Sequence, residues 1–397
     1  MGFKTKASNF IDKVFGKDIV VEINGVAYSN FLSVNVSRSL ETVCNEFEFS
    51  GTVEKLEDFP ISLGDSAVIF FHGVSVVDGY VETIVSQYSN DGHTVAVSGR
   101  DRTADIVDGS VFQPLIINGD IKLKALLDKL LKENGITDID VIDLASPDGF
   151  TKKDQVNIDR GANLFDVVDK YCSMRQVLAT TDGLGRLVIT RGGVESIKYS
   201  DKIIHIANQL QSGENNVLNA SKSQTQLNRY NKYIVQCQEG DITAFLDEIK
   251  SVSGDDNLLA LNEGIAFDPD GIRDSRTLVI VGESLGNAEV AKDRAKWEAS
   301  VRRARSFEYT CSLQGFLVDK TKVWSPNSLV RVTDERLDID DDLLIRDVSF
   351  LYDLNNGSIT ELTLVQKDAY DPQPNVDEVL VGSFLDAIQK ARGGESQ

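Results

Sequence analysis

The chain has 397 residues, 41% of them apolar and 26% charged, and its 62 Asp and Glu outweigh 41 Lys and Arg to give a net charge of −21. That length exceeds one compact core and predicts two to four domains. The charge excludes a protein held on nucleic acid by clustered Lys and Arg; DNA passing near such a surface would not stick.

Residues 1–16 read as a short N-terminal arm, with Phe10, Ile11, Val14 and Phe15 at helical spacing. The arm lacks the apolar run of a secretion signal, and Lys6 stands where N-myristoylation needs Ser or Thr. From Ile19 the pattern turns to β. Ile19, Val21 and Ile23 alternate with polar neighbours and run into an Asn24-Gly25 turn. Strands are expected over 31–37, 45–50, 66–71, 80–88 and 94–98, so residues 17–102 form a first β domain. Residues 103–200 change character. Helices are expected over 121–133, stopped by Asn134-Gly135, and over 163–174, followed by a hairpin about Asp182-Gly183-Leu184-Gly185. This is a smaller α/β domain.

Strand patterning returns at 223–236 and opens a second β domain, 201–370. It carries an acidic insertion, 239–282. Within it, residues 239–274 hold ten acidic side chains against only Lys250 and Arg273, which reads as loop-rich. Residues 287–305 follow as a helix with a basic end, suited to its dipole. Pro372 and Pro374 close the folded part before a tail, 371–397. In that tail Val381, Phe384, Leu385 and Ile388 follow an i, i+3, i+4, i+7 stripe, which marks them as candidate partner-docking residues.

The two β regions echo one another. Asp65–Val68 matches Asn327–Val330, and Val81–Val85 matches Ile345–Ser349. Each then runs to a Tyr (Tyr88, Tyr352) and a Gly hairpin turn. The returning strands alternate alike and end in Arg100-Asp101 or Lys367-Asp368. This order of matched features points to an internal duplication.

Little here promises chemistry. Cys44, Cys172, Cys237 and Cys311 are far apart without a CxxC, which argues for reduced thiols rather than a zinc site. The three histidines, His72, His93 and His205, sit in no HExxH motif, and neither GxSxG nor a P-loop occurs. The run Asp338-Ile339-Asp340-Asp341-Asp342 offers oxygen ligands but reads as a solvated loop between strands. No catalytic, cofactor-binding or metal residue is assigned. No stretch approaches the ~18 apolar residues of a membrane span, so no membrane insertion is expected.

The segment Gly99-Arg100-Asp101-Arg102-Thr103-Ala104-Asp105-Ile106-Val107-Asp108 resembles the strand-end signature of the baseplate hub proteins of Mu-like contractile-tailed phages. So do Gly161–Asp166, the helix Ala291–Arg305, Trp324-Ser325-Pro326-Asn327-Ser328-Leu329-Val330 and Leu364–Tyr370, in that family's order over about residues 18–370. The family-motif positions are therefore Gly99, Arg100, Asp101, Thr103, Ala104, Asp105, Trp324, Pro326 and Asn327.

The resemblance implies an α+β, β-rich multidomain chain in which two similar barrel-like tube domains flank a smaller α/β domain and assemble as a trimeric ring. It implies a structural hub, not an enzyme, that joins the six-fold tail tube to the three-fold central spike at the distal end of the tail. Its partners would be two further copies of itself (a homotrimer), the tail tube protein, the central spike protein, other baseplate proteins and a tape measure protein. No cofactor and no stable nucleic-acid binding are implied. Its place would be the virion's tail baseplate, after assembly in the host cytoplasm. A lumen in such a ring is expected to be lined by the excess carboxylates, or to have the acidic insertion at its rim. Two alternatives stand beside this reading: a hub-associated peptidoglycan hydrolase within 103–200, and a type VI-like or carbohydrate-binding trimeric module.

Overall fold

The computed structural model describes residues 18–52, 59–90, 92–151, 156–193, 195–196, 198–199, 202–203, 205–209, 215–238, 263–285, 288–319 and 322–373. They divide into two compact units, one within 1–222 and 308–365, the other within 223–307 and 366–397.

The first unit opens with β1 (Ile19–Ile23) and β2 (Val26–Tyr28), joined by Asn24-Gly25, both at positive φ. Then come β3 (Ser33–Ser39), β4 (Glu46–Thr52), β5 (Ser66–Phe71), β6 (Val74–Ser89) and β7 (Gly92–Asp101). Period-2 alternation sends Val34, Val36, Phe47, Phe49, Val95 and Val97 to one buried face and Ser, Asn and Glu to the other.

A small α/β layer follows: α1 (Ala104–Asp108), β8 (Leu115–Ile117), α2 (Leu123–Glu133), β9 (Asp140–Asp143), β10 (Val156–Ile158), α3 (Leu164–Ser173), β11 (Leu178–Thr181) and β12 (Arg186–Thr190). Leu123, Leu126, Leu127, Leu130 and Leu131 of α2 face Val167, Val168 and Tyr171 of α3 in one core. Asn163 caps α3, its side chain accepting from the backbone N–H of Phe165 and Asp166.

Short strands β13 (Glu195–Ser196), β14 (Lys198–Tyr199), β15 (Lys202–Ile203) and β16 (His205–Asn208) lead to β17 (Val217–Gln224). The second unit inserts here. It is a three-stranded sheet of β18 (Lys232–Gln238), β19 (Glu263–Phe267) and β20 (Thr277–Leu285) covered on one face by α4 (Ala288–Arg305). Tyr233, Val235 and Ala266 meet Ala291, Ala295 and Ala299 of α4. The other face leaves Phe267, Val279 and Val281 exposed. Arg229 is nearly buried and grips Asp268 at 2.6 Å and Asp270 at 2.8 Å. The expectation of a loop-rich 239–274 is thus corrected at 263–267, which is a strand, while 268–274 is loop and turn. The strand's buried positions are Gly264 and Ala266, too small to register as a hydrophobic alternation, because α4 lies directly on the strand: a Cβ on Gly264 would sit 1.9 Å from Lys292 N.

The first unit resumes with β21 (Phe307–Gln314), β22 (Ser328–Asp334), β23 (Ile339–Asp353) and β24 (Gly357–Gln366). The strand order β3-β4-β7-β6-β5 recurs as β17-β21-β24-β23-β22. The internal echo is therefore a repeated five-strand module. The expectation of two barrel-like domains is corrected: the described strands close no barrel, and both modules belong to one open 14-stranded sheet. The cause is the length of β23. Its first part pairs with β22 (Ile339–Leu344 against Leu329–Asp334), and Asp347–Asp353 continues against Ser33–Ser39 of β3. The Asp run is likewise corrected: Asp340, Asp341 and Asp342 lie in β23, with Arg331 2.7 Å from Asp340 and 3.5 Å from Asp342.

The sheet curls. Four strands separate β5 from β23 in sheet order, yet Phe71 of β5 meets Phe350 of β23 with ring centroids 5.2 Å apart, and both pack on Phe316 at 4.2 and 5.7 Å. One core therefore serves both modules.

Candidate functional site

Two surfaces carry the residues singled out in the sequence. The first is a pair of joints that fix the α/β layer to the β modules. Asp101, at the end of β7, is buried, and its Oδ2 accepts from Asn45 N at 3.0 Å and Thr181 Oγ1 at 3.0 Å. Its Oδ1 accepts from Thr103 N at 3.1 Å and from the Thr103 hydroxyl. Burial pushes this carboxyl up to about 6, and the four donors pull against that rise. Arg100 turns the other way and pairs with Glu82 at 2.8 Å and with Asp108. These two carboxylates hold the guanidinium protonated, and Arg100 in turn holds Asp108 below the usual carboxylate range. Gly99 permits the strand contact: a Cβ there would meet Tyr80 O at 1.9 Å. Ala104 is buried on α1, and burial with neighbouring carboxylates raises Asp105.

The second joint is Asn327, at φ 63°, a left-handed conformation that Asn tolerates better than most side chains. Its amide donates to Thr190 Oγ1 at 3.1 Å and Arg191 O at 2.9 Å, and its carbonyl accepts from Gly193 N at 2.8 Å. It thus ties the end of β12 to the turn before β22. Pro326 precedes it, and Trp324 is buried just upstream. The motif positions do not converge on one cleft; they are scattered structural joints. Their partners Asn45, Thr181 and Thr190 are isolated polar residues without a local signal, and only the fold brings them in.

The second surface is the face of the large sheet opposite the core. Register aligns Ser349, Ser37, Glu46 and Arg100 across β23, β3, β4 and β7, and Leu351, Asn35, Glu48 and Ser98 in the next row. A third row is Asp353, Ser33, Ser50 and Ala96. In these rows Arg100 is the one cation and is already paired, whereas Glu46, Glu48 and Asp353 are carboxylates. The face runs unbroken from one module into the other. It is mostly polar, with five serines among its residues and more carboxylates than cations.

Burial pushes the Cys172 and Cys311 thiols up to about 12, and it raises the half-buried Cys44 as well. Among the described residues no three His, Cys, Asp or Glu side chains are grouped to hold a metal ion. The docking candidates Val381, Phe384, Leu385 and Ile388 lie outside the described residues.

The fold is thus a long open sheet of two repeated modules, fixed to a small α/β layer by buried polar joints. Three family models match in chain order: "Mu phage baseplate assembly protein GpP-like, N-terminal" at 18–101, "Baseplate hub protein gp44-like, second domain" at 103–191, and "Mu phage baseplate assembly protein GpP, fourth domain" at 287–373. The chain is 23% identical over 366 residues to baseplate hub protein gp44 of Escherichia phage Mu, covering 89% of this chain and 88% of gp44. It is similar to the 43 kDa tail protein of prophage MuSo2 from Shewanella oneidensis, with TM-score 0.71 and 27% identity over 90% of this chain and all of that one. The fold also matches a tail protein from Neisseria meningitidis MC58, with TM-score 0.69 and 18% identity, covering 90% of this chain and 98% of that one. The chain belongs to the baseplate hub proteins of Mu-like phages, with a structural role in the virion's tail baseplate.

Proposed function

We propose that three copies of this chain form a ring at the distal end of the tail, which joins the six-fold tube to the three-fold central spike without catalysis of its own. One observation carries the reading. The same five-strand order occurs twice in the chain, and the two copies are joined edge to edge through β23 and β3. Two like modules in each of three chains present six similar surfaces, which lets a three-fold object abut a six-fold one.

The polar sheet face suits the inner wall of such a ring. A wall of carboxylates and short hydroxyl side chains gives phosphates no cation to adhere to, and repulsion keeps them near the axis. The domain bounds 17–102, 103–200 and 201–370 describe the module, layer and module of this reading. Tube, spike, tape measure and other baseplate proteins are its partners. The tail 371–397, with Val381, Phe384, Leu385 and Ile388, supplies a docking stripe, since a helix of ~10 residues is marginal alone in water and needs a surface to cover.

Light scattering at rising concentration tests the trimer. The expected mass is three times 43.7 kDa; a monomer at the highest concentration, with no ring in assembled tails, contradicts it. Deleting residues 372–397 tests the tail. Intact trimers that no longer enter tails support docking, and normal tails from the truncated chain refute it.

A further inference from the structure

We infer that the tail stripe Val381, Phe384, Leu385 and Ile388 covers the open face of the three-stranded sheet in the second unit of its own chain. This rests on the reading of the tail as a docking stripe and names the surface that the stripe covers.

The strands define that surface. Tyr233, Val235 and Ala266 meet α4, so period-2 alternation sends Ile234, Ile265, Phe267, Val279 and Val281 to the opposite face. Register sets Ile265 and Val279 on either side of Ile234, Phe267 beside Lys232, and Val281 beside Gln236. The five side chains are therefore contiguous, and Phe267 and Val281 are each 63% exposed. A sheet with one face on a core and the other in water alternates apolar with polar residues. Strands that are apolar on both faces are built to be covered twice.

The tail fits as the cover in origin, reach and charge. It leaves from the same unit: the Trp297 indole donates to Asp371 O at 2.8 Å and Arg305 Nε donates to Ala369 O at 2.9 Å, which holds this stretch against α4. From Asp371 to Val381 the chain spans about 33 Å when extended. Strands lie only about 4.8 Å apart and a helix is about 10–12 Å across, so the tail can round a sheet edge and return over the far face. The ends of the patch differ in charge, with Lys232 beside Phe267 and Glu263 beside Gln236. The stripe is preceded by Asp377 and Glu378 and followed by Lys390 and Arg392. Laid with its acidic end toward Lys232, it brings its basic end toward Glu263.

The test is photo-crosslinking of the full chain with p-benzoylphenylalanine in place of Phe267, one aromatic group for another at an exposed position. The same probe in place of Val281 serves if the first variant misfolds. Irradiation should join the probe to a peptide within 376–392, with the product still at the monomer mass on a denaturing gel. Capture of residues 239–262, covalent dimers, or no capture by a folded probe variant overturns the assignment. Deleting residues 372–397 gives an independent readout. Fluorescence of a dye that binds apolar surface should rise several-fold, and Val279→Ser with Val281→Ser in the truncated chain should abolish that rise; no rise on deletion overturns the assignment as well. Normal tails from the truncated chain would refute the docking role and leave this contact standing. Truncated trimers that fail to enter tails, with no capture by the probe, would do the reverse.

Discussion

Asp101 and Thr181 lie 80 positions apart in the chain and meet at 3.0 Å, the carboxylate of one accepting from the hydroxyl of the other. That bond, with those from Asn45 N and Thr103 N, locks the α/β layer to the end of β7. Each oxygen of Asp101 faces one backbone N–H, so an amide in its place would point its NH2 at an N–H in either orientation.

Asp101→Asn is therefore expected to destabilise the fold although it removes a buried charge. A buried donor left unmet amounts to about 1–3 kcal/mol. Urea unfolding measures it. A variant as stable as the wild type would mean that the node does not hold the joint.

The same carboxyl sets a pH dependence. Its folded value, about 6, lies above the ordinary 3.8. The folded state therefore binds a proton that the unfolded state does not between those values. The stability this group contributes is fully present below the unfolded value and is lost as pH rises through about 6. From pH 7 to pH 5 the wild type should gain about 1 kcal/mol from this site relative to Asp101→Asn. Parallel unfolding curves for the two proteins at both pH values decide it; an equal change in both contradicts the assignment.

Phe71→Ala and Phe350→Ala should each reduce stability by about 3–5 kcal/mol, the range for emptying an aromatic core position. Because the rings touch, the double variant should lose less than the sum. Simple additivity within about 0.5 kcal/mol would argue against the curl of the sheet.

Gly264→Ala acts on the second unit alone. Its methyl would meet the backbone of Ala291 and Lys292, which cannot yield as a flexible side chain does. Overpacking of this kind costs about 1–3 kcal/mol. Limited proteolysis should open the segment 223–307 faster than in the wild type, and an unchanged cleavage pattern would contradict the close helix–strand contact.

A peptidoglycan zymogram addresses the catalytic alternative. Purified protein is expected to clear nothing, and a band of clearing at 43.7 kDa would contradict a non-catalytic hub.

The periodic parts of this molecule were legible in its sequence. Alternation located β3, β4 and β7, the Leu-rich stripe located α2, and the apolar spacing over 163–174 located α3, whose cap Asn163 only the structure showed. The repeat was legible too, since turn residues and strand ends recur in order. What stayed hidden was long-range or depended on small residues. No pattern in Asp347–Asp353 says that it pairs with β3 rather than closing its own barrel, because any edge strand with alternating polarity would read the same. Gly264 and Ala266 hid β19, since a helix backbone fills the space that large side chains would otherwise mark. The signature positions Asp101 and Asn327 were visible as motifs, but their work as joints was not, because Thr181 and Thr190 become partners only once the layers stack.

The most direct test of the hub is a reconstruction of an assembled tail tip containing this protein. The account predicts six like modules in a ring from three chains, with Glu46, Glu48 and Asp353 turned toward the axis. A different copy number, or a ring whose inner wall is neutral or basic with the Glu46 face outward, would contradict it.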